Sequence, residues 1–244
     1  MSSPVANYYD EFTTQQLKEG ANDRHIKILE WVKKFKPRKT DSILVIGCGI
    51  GIETQLLASL VKKGHITATD ISPESIEIAK KKLKHLTNVT LIAGDIIELD
   101  IKGKFDFIVL PDVLEHIPIA QHSTLFKKLK SLLKDTGIIL IHIPNPYNLQ
   151  WDHIHDKDSL QIIDQPIYTN EFIQNVYPNG LYIHYLETYS IWKVNNDYQV
   201  IVLKPFIADM EYSSIIQKSA IKKVISRLKF KFKLIKANGW SLKK

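Results

Sequence analysis

The sequence predicts an α/β fold: a doubly wound, seven-stranded sheet, mostly parallel, with an antiparallel strand near the C-terminal end. Three observations predict it. Strand and helix signals alternate from about residue 38 to residue 143, the pattern that places parallel strands between helices on both faces. Residues 43–51 read Ile-Leu-Val-Ile-Gly-Cys-Gly-Ile-Gly, a charge-free apolar run that breaks into alternating glycines, as a buried strand feeding a tight turn does. Asp70 then closes the next strand signal, 19 positions after Gly51.

The elements follow in order. Residues 7–36 read as helical, with Ile26, Ile28, Leu29, Trp31, Val32 and Phe35 as the apolar positions and Pro37 as the stop. Strands are expected at 42–47, 65–70, 88–93, 105–110 and 137–143, and helices at 52–63, 73–84 and 118–134. Ser72-Pro73-Glu74 is a helix start with a capping side chain and Pro in first position. Lys134-Asp135-Thr136-Gly137 reads as a helix stop and turn. Pro144 to Ile167 has little periodicity and reads as a long loop over the site. A short helix at 169–176 and two β segments, 182–189 and 198–203, complete the sheet. This gives three regions: an N-terminal helical cap (1–37), a central domain (38–211) and a tail (212–244).

Charge and composition narrow the class. The 244 residues carry a net charge of +7, but Tyr212 to Lys244 holds ten Lys or Arg and no acid. The first 211 residues hold 23 basic against 26 acidic groups, a balance of −3. That body argues against nucleic acid as a partner. The single cysteine, Cys48, excludes a disulfide framework and suits a reducing, cytoplasmic setting. No apolar run approaches the roughly 20 residues of a membrane span. In the tail, Ile216, Ala220, Ile221, Val224, Ile225 and Leu228 fall at helical spacing among Lys and Arg. Such a segment can dock on its own domain, contact nucleic acid, or lie on the anionic inner face of a membrane.

The glycine spacing is Gly47-x-Gly49-x-Gly51, not the Gly-x-Gly-x-x-Gly that cradles a dinucleotide pyrophosphate. It resembles motif I of the class I S-adenosylmethionine (SAM) methyltransferases, whose sheet is Rossmann-like. Four further segments resemble that family in order. Asp70, followed by Ile71, matches the acid that holds the SAM ribose, and Gly94-Asp95-Ile96 matches the segment bordering the adenine. Leu110 to Ile117 matches the segment after strand four, and Leu132 to Gly137 the turn before strand five. The resemblance covers residues 38–205 and implies a SAM cofactor held by Gly47, Gly49, Gly51, Asp70, Ile71, Asp95, Ile96 and Leu110. One departure is Val45, where the family carries an acid that supports the SAM amino end.

The segment after strand four carries the candidate chemistry. Asp112, Glu115 and His116 are spaced i, i+3, i+4, so a helical turn would place all three on one face. Two carboxylates and an imidazole at a strand end suit a divalent cation such as Mg, Mn or Zn. Similar residues are metal ligands in the ubiquinone-biosynthesis O-methyltransferases, which this chain resembles, and in the small-RNA 2′-O-methyltransferases. In the RNA enzymes a further imidazole comes from the loop holding His153 and His155 here. The expected metal set is Asp112, Glu115, His116 and His155; the expected catalytic set is His116, Glu115 and His153, with His116 as base if no metal is used. His142 reads as facing the other side of the sheet, and His122 as a helix-surface residue. These residues favour O-methylation of a small molecule or saccharide, lipid-linked if the tail meets a membrane. RNA 2′-O-methylation and non-catalytic SAM binding are the alternatives.

Overall fold

A computed structural model describes residues 20–207 together with Tyr8, Thr13, Leu17 and Lys18. The expected helix before residue 20 and the basic tail lie outside the described residues, apart from those four positions. In chain order the elements are α1 (Asp23–Lys34), β1 (Ser42–Ile46), α2 (Ile52–Ala58), β2 (His65–Asp70), α3 (Pro73–Leu83), β3 (Val89–Ala93) and β4 (Phe105–Pro111). They continue with α4 (Ile119–Leu132), β5 (Leu133–Pro144), α5 (Pro146–His155), α6 (Thr169–Val176), β6 (Leu181–Tyr189) and β7 (Tyr198–Pro205).

The seven strands form one sheet in the order β3-β2-β1-β4-β5-β7-β6. Strands β1 to β5 pair in parallel. Strand β7 runs antiparallel to both β5 and β6, as expected. The order reverses between β1 and β4, and a doubly wound sheet opens a crevice at the carboxyl ends of such strands.

Alternation along the buried strands divides the core into two layers. Leu44, Ile46, Ile108, Leu110, Ile139 and Ile141 face Leu125, Phe126 and Leu129 of α4 and Phe172 of α6. Ile43, Val45, Phe107, Val109 and Leu140 face Ile28, Trp31 and Val32 of α1 and Leu57 of α2. Ser72 caps α3 as expected, its Oγ accepting from Ser75 N at 3.0 Å.

Two sequence expectations are corrected. The segment after Pro144 is not an open loop: α5 begins at Pro146, and the Asn145 side chain caps it by accepting from Tyr147 N at 3.0 Å. Its apolar Tyr147, Trp151 and Ile154 are exposed, so no buried stripe marks the helix in the sequence. Lys134 to Gly137 is not a turn either; it is extended and belongs to β5. Leu133 pairs with Phe105, and the register shifts before Phe107. Gly137 is needed there for space, since a Cβ would lie 2.9 Å from the Phe105 carbonyl oxygen and 3.1 Å from that of Asp106. Gly137→Ala should therefore destabilise the domain by about 1–3 kcal/mol, read as a lower denaturant midpoint with an unchanged slope.

Candidate active site

The crevice is a cavity of about 390 Å³ at the carboxyl ends of β1, β2, β3 and β4, closed on one side by α1. Gly47 (φ 73°) and Gly51 (φ 91°) take a left-handed backbone that ordinary residues resist. A Cβ on Gly47 would meet Val113 Cγ2 at 2.2 Å, so the loop packs as closely as glycine permits. Asp70 accepts from Gly49 N at 2.7 Å and from Ser72 N at 2.9 Å, which fixes the acid at the tip of β2. Asp95 accepts from Ile97 N at 2.8 Å. Gly47, Gly49, Asp70, Ile71, Asp95 and Ile96 all reach the cavity wall. Gly51 lies behind it against Leu83 and Ala79. Leu110 is wholly buried in the core, and the wall begins one residue later at Pro111.

Beyond β4 the arrangement departs from the expected ligand cluster. Asp112 is left-handed (φ 53°), and the helical turn that follows is a 3₁₀ turn, Leu114–His116. Asp112 therefore does not share a face with Glu115 and His116. Its carboxylate pairs with Arg24 Nε at 3.1 Å through one oxygen and accepts from His142 Nδ1 at 2.7 Å through the other. Its backbone N donates to the His142 carbonyl at 2.8 Å. Burial alone would raise the Asp112 carboxyl, but His142 and Arg24 hold it below the usual carboxylate range.

Glu115 is buried behind the cavity wall, with Oε1 3.8 Å from His116 Nε2. Burial, reinforced by the Asp112 charge, pushes its pKa well above the usual carboxylate range. His116 does wall the cavity. Its Nδ1 donates to the Ile163 carbonyl at 2.6 Å and lies 3.3 Å from Asp164 Oδ1. Burial lowers its pKa from 6.5, against the raising effect of Asp164, which favours the neutral ring with its proton on Nδ1.

The α5 imidazoles stand apart. His153 is exposed and donates from Nε2 to the Asp164 carbonyl at 2.6 Å, propping the 160–164 loop. His155 is exposed and stacks on Trp151 with ring centroids 4.5 Å apart. Among the described residues no three His, Cys, Asp or Glu side chains gather as a metal site. The expected set does not fit one: Asp112 is committed to Arg24 and His142, and Glu115 and His155 do not line the cavity.

Several groups at the cavity lie outside the expected set. Arg24 and His25 enter from α1. His25 is pushed down to about 4 by burial and by Arg24. His142 is fully buried, stacked on Tyr198 at 4.8 Å, and serves Asp112 rather than the far side of the sheet. His122, too, is buried and bonds the Leu114 and Ile117 carbonyls. Glu53, in the first turn of α2, has both oxygens buried with no partner among the described residues. Burial and the Asp112 charge raise it to about 8. His142 shows in the sequence only as one polar residue inside an apolar strand, and Glu53, followed by Thr54 and Gln55, shows no distinguishing signal.

Residues 43–137 match the family model described as a methyltransferase domain. Over 99 residues the chain is 43% identical to malonyl-[acyl-carrier protein] O-methyltransferase of Priestia megaterium, covering 41% of this chain and 35% of that protein. Over 144 residues it is 27% identical to (S)-coclaurine N-methyltransferase of Papaver somniferum, covering 58% and 39%. The chain thus spans well under two thirds of the length of these relatives. Magnesium protoporphyrin IX methyltransferase from Synechocystis, solved with bound SAH, superposes with a TM-score of 0.65 at 18% identity, covering 82% of this chain and 96% of that one. Residues 43–137, which hold the glycine loop and strands β1 to β4 of this sheet, are thus similar to a methyltransferase domain, and the β3-β2-β1-β4-β5-β7-β6 sheet gives the chain the fold of the solved methyltransferases.

Proposed function

We propose that the chain transfers a methyl group from SAM to a hydroxyl of a small molecule or saccharide, with His116 as the base. The observation that carries this reading is His116 itself. It is a buried imidazole in the cavity wall whose Nδ1 proton is committed to Ile163, which makes Nε2 the basic nitrogen of the ring. An uncharged amine, such as an aromatic one, arrives with its own lone pair and needs that group less.

The residues at the cavity fit SAM. The glycine loop leaves no space where a side chain would otherwise stand, which lets the backbone approach a ligand. Asp70 sits at the strand tip, where a carboxylate can accept from a ribose diol. Ile71 and Ile96 offer apolar surface for a base, and Arg24 offers a cation for the carboxylate of the amino-acid end. Bound there, SAM supplies an electrophilic methyl on a sulfonium that leaves as a neutral thioether. What remains for the chain is alignment of the acceptor and removal of its proton. The Ile163 carbonyl and Asp164 hold the His116 ring in place, and His153 holds the loop that carries them.

A methyl-transfer assay with labelled SAM on paired hydroxyl and amine acceptors tests the reading. Transfer to hydroxyls supports it; transfer confined to amines rejects it. His116→Gln should lower turnover by about 10²- to 10⁴-fold while the affinity for S-adenosylhomocysteine, measured by calorimetry, stays unchanged. The base must be neutral to act, so turnover of the unaltered chain should hold flat above neutral pH. It should then fall as pH drops through a value below 6.5, and a pH–rate profile reads that midpoint. Gly47→Ala should weaken S-adenosylhomocysteine by about tenfold or more, because its Cβ cannot be placed without moving Val113 or the loop.

A further inference from the structure

The amino-acid end of SAM carries one negative and two positive centres: a carboxylate, an ammonium and the sulfonium. Arg24 answers the carboxylate. The cations need a negative group, and four carboxyl side chains reach the cavity wall: Glu53, Asp70, Asp95 and Asp112. Three are engaged. Asp70 accepts from the backbone of Gly49 and Ser72, and Asp95 accepts from Ile97. Asp112 is shared between Arg24 and His142. Only the Glu53 carboxyl has neither oxygen hydrogen-bonded among the described residues, although its residue is 3% exposed.

A buried carboxyl without a donor is costly, and proteins retain few of them without a use. Glu53 stands two residues beyond the glycine loop, close enough to Arg24 and Asp112 to feel both charges. This is the amino-acid end of the cavity rather than the ribose end held by Asp70. The strand leading into the loop offers no alternative, since Val45 is wholly buried in the apolar layer against α1 and α2. We infer that Glu53 is the binding residue for the cationic amino-acid end of SAM, the counter-charge that completes the site begun by Arg24. This rests on the SAM reading above. In the free protein the carboxyl is largely protonated near pH 7, its pKa raised to about 8 by burial. A cation beside it favours the ionised form.

The test compares two ligands that share the adenosine part. S-adenosylhomocysteine keeps the ammonium and carboxylate; 5′-methylthioadenosine has neither. Calorimetric titration of the full chain and of Glu53→Gln and Glu53→Met, both near-isosteric, should show S-adenosylhomocysteine weakened by about ten- to a hundredfold. The affinity for 5′-methylthioadenosine should hold within about twofold. Without ligand, both variants should melt several degrees higher than the unaltered chain at pH 8, since an unpaired buried acid has been removed. Unchanged S-adenosylhomocysteine affinity, or equal weakening of both ligands with a lowered melting temperature, overturns the assignment. Failure of the unaltered chain to bind S-adenosylhomocysteine would instead overturn the SAM reading on which it stands.

Discussion

The site is organised around one buried anion. Asp112 leaves β4 in a left-handed conformation, its carboxylate held between Arg24 of α1 and His142 of β5. Three elements distant in sequence are thereby fixed to one point at the switch in strand order. A buried charge of this kind is poor evidence for stability, because desolvation offsets much of the attraction. Its effect is electrostatic order. The Asp112 charge, second to burial, helps hold both Glu115 and Glu53 protonated. It adds to burial in keeping the Tyr198 hydroxyl un-ionised. The Asp112 carboxyl is shifted down while those of Glu115 and Glu53 are shifted up within one small region, so each can play a different part.

The same arrangement explains which proton acceptor is available. Glu115 reaches to within 3.8 Å of His116, but it does not line the cavity, and burial and the Asp112 charge disfavour its ionised form. His116 keeps its lone pair because burial outweighs the pull of Asp164. The 160–164 loop bears directly on that ring: Ile163 sets the tautomer, and the Asp164 backbone carbonyl is tied down by His153. His153 acts on the site by positioning that loop, not from inside the cavity.

How much of this was legible in the sequence depends on how local its cause is. The parallel strands were readable because each is an apolar run bounded by turn residues, and 65–70 matches β2 at both ends. The glycine loop and Asp70 were readable because close backbone approach and a strand-end acid are fixed within one βαβ unit. α5 was not, since its apolar side faces solvent and only the Asn145-Pro146 cap marks its start. The ligand cluster failed for a backbone reason. Spacing i, i+3, i+4 brings side chains together only if the whole segment is helical, and at Asp112 the chain is left-handed. The true partners of Asp112 lie 88 positions before it and 30 after it, beyond any spacing rule.

That division also follows the reach of the family match. Residues 43–137 contain the glycine loop, Asp70, Asp95 and the turn bearing His116. Arg24, His25, His142 and the loop of Ile163 and Asp164 all lie outside them. The matched part holds the glycine loop and the strand-end acids that line the cavity, and the relatives that share it are named for methylation on oxygen and on nitrogen. The unmatched part supplies Arg24 and His25 at the cavity, His142 as the support of Asp112, and Ile163 in the wall beside His116. Acceptor chemistry can therefore change through α1, the end of β5 and the 160–164 loop while the glycine turn stays as it is. Because Asp112 joins α1 and β5 to the tip of β4, changes in those outer elements still act on the region where the methyl must be delivered.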